Sequence, residues 1–325
     1  MNEYTKNEFK CNGFTPFLKT RSPSNPRLKG IAEFCDWEFH YGKFYGDENI
    51  QPKSIFVKTD DLPTFVSHYL PKIKNTTRFV LVAGDSDKTL PRVMNNSGEH
   101  RGENVYPFIK ICHDLLNDER VYVWYAENCD YPRGIPKLKP MPLGILDPQT
   151  AIPGQLDESR ISNLKINFNQ RVSRAMCMNR WQNRPIGSDN RPRRMVENFA
   201  KNHWTGVDII SEGSYNTFCE NLQKYSFSVC VGAGGIDPSP KAWISMIEGC
   251  IPILEKRAGV YEAYKEYPVV WIDWFYFDSI TQEKLNTWLE ELRPHYEDPT
   301  LRCELLHKLS LNHWISKIQN DVNNL

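Results

Sequence analysis

From Ser54 onward the apolar positions of this chain alternate between two spacings. Short runs rich in β-branched residues, at 54–60, 78–84 and 121–130, predict strands; 62–73 and Tyr106–Leu116, with apolar residues three and four apart, predict helices. The segment 135–146 (IPKLKPMPLGIL) reads as extended. The alternation resumes with a strand at Val172–Asn179, a helix over Arg191–Lys201 opened by Asn190 and Pro192, a strand at 206–210 and a helix at Tyr215–Lys224. A strand at 269–273 and helices at Thr281–Leu292 and Leu301–Ile318 complete it. Strand–helix alternation of this kind predicts α/β architecture with parallel sheets and helices on both faces. Gln149–Asn169 has no strong period and carries Pro153 and Gly154, so it reads as a connection between two units, 1–155 and 156–325.

The most organised stretch is Tyr225–Leu254, YSFSVCVGAGGIDPSPKAWISMIEGCIPIL. Phe227–Val231 reads as a buried strand, Gly232, Gly234 and Gly235 as a loop that lets backbone approach a ligand, and Asp237, Ser239 and Pro240 as a helix start. Gly249 ends that helix, and Ile251–Leu254 is the next strand. Free N–H groups and the positive end of a helix dipole suit a diphosphate. A βαβ unit that only packs fits the spacing equally well.

The stretch resembles the donor-binding half of exostosin-like glycosyltransferases, through GGIDPSPKAW and GCIPIL, with Lys241 at the family's basic position and Trp243 at its aromatic one. VLVAGDSD, VWYAENCD and PKLKPMPLG resemble, more diffusely, segments of the same family's N-terminal half. One departure stands out: the acidic residue that follows the Trp in the family, read as a ribose ligand, is Ile244 here, with Glu248 one turn later as the substitute. The resemblance implies two Rossmann-like domains facing each other across a cleft, the glycosyltransferase B architecture. Residues 1–155 would bind the acceptor and 156–325 the nucleotide sugar. It implies inverting transfer from a nucleotide diphosphate sugar, a UDP-sugar with UDP-xylose as the expected donor, to an oligosaccharide or glycoprotein glycan. The donor site would comprise Arg180, Gly234, Gly235, Asp237, Ser239, Lys241, Trp243 and Glu248.

Carboxylates at strand ends of the first half supply candidates for the base that takes the acceptor's proton: Asp87 first, then Asp85, then Asp130, with Glu127 beside it. Asp87 lies one residue further into its loop than the capping position held by Asp85. Capping and solvation are the competing roles for a Gly-Asp-Ser-Asp turn. Asp85 and Asp87 also form the Asp-x-Asp pattern with which glycosyltransferases of the other large fold hold Mn²⁺ or Mg²⁺. With the helix dipole and Lys241 at the diphosphate, a metal-independent reaction without a cofactor is expected. A non-catalytic glycan- or nucleotide-binding protein stays open, because Ile244 replaces the expected acid.

Composition narrows the partners. Forty basic and forty acidic residues in 325 balance, so no global field favours nucleic acid or a membrane surface. Nine cysteines without a CxxC pair read as reduced thiols, and no apolar run is long enough for a membrane span, so the expectation is a cytoplasmic protein, the alternative being the trimmed lumenal domain of a Golgi enzyme. The polar first fifty residues carry an aromatic cluster, Phe34, Trp37, Phe39, Tyr41, Phe44 and Tyr45, suited either to a local core or to stacking on an acceptor sugar.

Overall fold

The computed structural model describes residues 17, 30–93, 105–145, 161, 164–179, 191–211, 213–232, 234–273, 275 and 278–325. They form a mixed α/β protein with two sheets of mainly parallel strands. The first sheet has the order β2-β1-β3-β4-β5-β6: Lys43–Tyr45, Trp37–His40, Ser54–Lys58, Phe79–Gly84, Val121–Glu127 and Leu138–Met141. Only β2 runs antiparallel, in a hairpin with β1 that pairs His40 with Lys43. Tyr41 and Gly42, both at positive φ (51° and 70°), make its two-residue turn. The hairpin is absent from the expectations above, because Tyr-Gly lacks the Asn-Gly or Asp-Gly signature of such turns.

From β1 to β6 the parallel strands of this sheet lie side by side in chain order, so it has no point where the order reverses. Its two faces alternate along each strand as the pleat requires. Ile55, Val57, Leu81 and Ala83 pack with the helices Leu62–His68 and Val105–Asn117. Phe56, Val80, Val82 and Tyr125 belong instead to a core shared with the second half of the chain. The helix Leu311–Asn323 joins that core and fastens to the first sheet through its Asp321 carboxylate. This accepts from Tyr125 Oη at 2.5 Å and pairs with Lys139 Nζ at 2.7 Å. The expected single helix over Leu301–Ile318 is in fact two, Pro299–Lys308 and Leu311–Asn323. Ser310 breaks it by capping the second, its Oγ accepting from His313 N.

The second sheet is wholly parallel in the order β11-β10-β9-β7-β8: Val270–Ile272, Ile251–Glu255, Tyr225–Val229, Val172–Cys177 and Val207–Ile209. Read from β8, this is the 2-1-3-4-5 arrangement of doubly wound sheets, and its order reverses between β7 and β9. Ligands of such sheets bind beyond the carboxyl ends of the strands at that reversal. Among the described residues no helix is long and apolar enough to cross a membrane.

Candidate functional site

The reversal point is occupied by cations. β9 runs into the glycine loop, and Ser239 (φ 72°) caps the helix Pro240–Ile247, its Oγ accepting from Lys241 N at 3.4 Å. Lys241, in the first turn, reaches across to the end of β7, where its Nζ donates to Met178 O and to Asn179 Oδ1 (3.0 Å). Arg193, from the helix Arg191–His203, donates through Nε to Val231 O at 3.3 Å at the end of β9. Burial, and then the charge of Arg193, pull the Lys241 ammonium down to about 7. An anion arriving there would meet the helix N-terminus and two basic side chains, and would relieve the strain on the Lys241 charge.

The far end of the same helix is held by two arginines. Arg302 donates to Met246 O (2.6 Å) and Ile247 O (2.5 Å), and Arg171 to Glu248 O (3.0 Å). These guanidinium groups satisfy the carbonyls a helix leaves open and oppose the negative end of its dipole. Neither arginine carries a local sequence signal, since the contacts span 56, 55 and 77 residues.

In the first sheet, the carboxyl ends of β3, β4 and β5 bring together Lys58, Asp60, Asp85, Ser86, Asp87, Lys88 and Glu127. With Leu143 they line an open pocket of about 550 Å³. Asp85 (φ 57°) lies between Lys58 and His40: Lys58 Nζ donates to its carbonyl and stands 3.6 Å from Oδ2, and His40 Nε2 lies 3.3 Å from the same oxygen. Burial opposes the Lys58 charge, but Asp85, Tyr41 and Asp60 outweigh it and raise its pKa. Buried Glu127 accepts from Asp85 N at 2.9 Å, which holds the turn open toward the pocket.

The two sets of loops touch. Asn128 (φ 51°) donates from Nδ2 to Ser86 O and accepts Asp237 N at Oδ1, both at 2.9 Å. Gly235 lies so close that a Cβ there would fall within the Asn128 amide, and a Cβ on Gly234 would fall on the Asp87 carboxylate. Asp237 also accepts Leu143 N (3.0 Å), Ser239 N (2.9 Å) and the Tyr264 hydroxyl, which lies 3.1 Å from Oδ1 and 3.0 Å from Oδ2. Of the five non-glycine residues with positive φ among those described, Asp85, Asn128 and Ser239 lie in these loops. Such backbone persists only where its surroundings over-determine it, and it gathers at functional sites.

The sequence-derived residues divide accordingly. Gly234, Gly235, Ser239 and Lys241 share the glycine loop and helix start, and Asp85 and Asp87 line the pocket beside them. Asp237 is buried in contacts that join the loops. Asp130 accepts from Thr89 Oγ1 (2.5 Å) and Arg92 N (3.1 Å), so it ties the loop after β5 to the segment after β4. Trp243 is 0 % exposed, its Nε1 donating to Leu309 O among Phe17, Tyr264 and Tyr267. It is a core residue. Glu248, 2 % exposed, accepts from Gln223 Nε2 at the end of the helix opposite Ser239 and Lys241. Arg180 lies outside the described residues. Sequence reasoning missed Asn128, Lys58 and His40, although the strand-end run AENCD already marked the neighbourhood of Asn128.

Among the described residues no group of three or more His, Cys, Asp or Glu is arranged to hold a metal ion. Compared with known proteins, the chain matches no family model and no curated sequence.

Proposed function

We propose that this protein is an inverting glycosyltransferase that uses a nucleotide diphosphate sugar. The observation that carries the reading is the contact of Asp87 with Gly234: a carboxylate-lined pocket of one sheet opens directly onto the glycine loop of the other. In this reading the diphosphate lies at the helix N-terminus with Lys241 and Arg193, at the reversal of strand order. Asp87 takes the acceptor hydroxyl's proton as that oxygen attacks the anomeric carbon. The bond to the diphosphate breaks with inversion, and the two basic residues stabilise the departing charge. The resemblance of GGIDPSPKAW and GCIPIL to exostosin-like enzymes supports the same reading, and with it two Rossmann-like domains. Of the two sheets, the second supports that architecture more strongly, since it alone reverses its strand order. A UDP-sugar, with UDP-xylose first, is the proposed donor, and a glycan hydroxyl the acceptor.

The test is diphosphate release from a panel of nucleotide sugars, with and without glycosides as acceptors. Release from one donor that increases with acceptor is the expected result. No release from any donor, together with no binding of nucleoside diphosphate, would overturn the proposal.

A further inference from the structure

The β1–β2 hairpin presents a contradiction. Its two-residue turn requires positive φ at both positions, which Asn, Asp or Gly adopt at little cost. The first position holds Tyr41, a bulky residue for which φ of 51° is an outlier. Tyr41 is 65 % exposed, more than Phe34 (49 %) and Tyr45 (42 %) of the same aromatic cluster, whereas Trp37 and Phe39 are buried in the core. Neither turn chemistry nor core packing therefore accounts for a tyrosine here. The ring stands at the edge of the carboxylate pocket: Lys58 Nζ lies 4.8 Å from its centroid, the His40 ring 4.1 Å, and Asp85 raises the pKa of its hydroxyl after partial burial. Its contacts are thus with polar groups at the pocket and not with the core, and a residue that breaks the local rule in this way is the kind found at functional sites.

We infer that Tyr41 is the stacking wall of an acceptor subsite that takes a neutral pyranose; this rests on the glycosyltransferase reading. An exposed ring offers apolar area to the C–H face of a sugar, while the pocket beside it offers donors and acceptors to the hydroxyls. The charge of the pocket selects among sugars. Its lysines, Lys58 and Lys88, are bound to Asp85 and Asp60, and Asp87 and Glu127 add further carboxylates, so a uronic acid meets repulsion. Tyr41 positions the acceptor and Asp87 reacts with it.

The experiment compares native protein, Tyr41→Asn and Tyr41→Phe by saturation-transfer NMR with methyl glycosides of xylose, galactose and N-acetylglucosamine, and with methyl glucuronide. Melting temperatures and acceptor KM are measured alongside. Asn suits the turn, so Tyr41→Asn should keep or raise the melting temperature while weakening neutral-sugar binding and raising acceptor KM about tenfold. Tyr41→Phe should bind sugars as the native protein does. Sugar binding unchanged in Tyr41→Asn, or absent from the native protein across the panel, overturns the subsite, whatever the donor experiments give. Equal binding of the glucuronide overturns the preference for neutral sugars. Sugar binding lost in Tyr41→Asn, with no diphosphate released from any nucleotide sugar and no nucleoside diphosphate bound, would remove the transfer reading and leave the subsite standing.

Discussion

The side-chain amide of Asn128 and the backbone of Asp237, 109 residues apart, meet in a buried hydrogen bond of 2.9 Å. The same amide donates to Ser86 O, so one residue holds the loops after β4, β5 and β9 in register. Asp237 then passes the connection on to Leu143 N and the Tyr264 hydroxyl. The pocket and the glycine loop keep their relation through this chain of polar contacts.

Replacing Asn128 with Ala leaves Asp237 N and Ser86 O without these partners. The expected cost is about 1–3 kcal/mol, read as a lower urea midpoint with an unchanged slope. Asn128→Gly removes the same bonds but accepts the positive φ, so it should be the milder variant. Equal stability of both with the native protein would mean that the junction does not depend on this amide.

Lys241→Ala should weaken nucleoside diphosphate binding by about 1.5–3 kcal/mol, measured by calorimetry, through loss of a charge-assisted contact.

The depressed pKa of Lys241 also sets a pH dependence. Its folded value is about 7 against an ordinary 10.5, so between these the unfolded chain holds the extra proton. Stability relative to Lys241→Met should therefore rise with pH from about 7 toward 10, by at most about 1.4 kcal/mol per unit, and the full penalty should persist below pH 7. Diphosphate affinity should run the other way, falling as pH rises through 7, with proton uptake on binding. Urea titrations and calorimetry in buffers of different ionisation enthalpy measure the two.

Asp87→Asn keeps the shape of the carboxylate and loses the capacity to take a proton. Turnover should fall roughly 10²–10⁴-fold while donor affinity is unchanged. Near-native turnover in Asp87→Asn, with collapse in Asp85→Asn, would transfer the role to Asp85.

Chelation distinguishes the Asp-x-Asp alternative. Lys58 already stands against the Asp85 carboxylate, and the helix N-terminus with Lys241 and Arg193 can neutralise a diphosphate. Transfer should survive exhaustive EDTA treatment. Activity lost to chelator and restored by Mn²⁺ would require a metal-dependent mechanism.

Trp243→Ala should cost about 3–5 kcal/mol of stability by opening a cavity between Phe17, Tyr264 and Tyr267. Diphosphate affinity of the folded fraction should change little, because no face of the indole reaches the site. A selective loss of affinity would return Trp243 to the donor side.

Whatever depends on neighbours in the chain was legible in the residues alone. Apolar spacing placed β4, the helix Tyr215–Lys224 and the two strands around the glycine loop within a residue or two, and β5 with its end three residues too far on. Lys241 at the first turn of its helix and Asp85–Asp87 after β4 were legible for the same reason, since a strand end and a helix start are local events. Strand order is not local: nothing in the periodicity of Val172–Cys177 or Tyr225–Val229 says that they lie side by side with Val207–Ile209 outside them. Packing also decided the fate of individual side chains. It turned Trp243 into the core, took Asp237 into the junction, set Glu248 at the wrong end of its helix and left Tyr41 in the open. Burial and partnership depend on residues that arrive from 50 to 200 positions away, as Arg302 does at Met246 and Asp321 at Tyr125, and only tertiary structure supplies them.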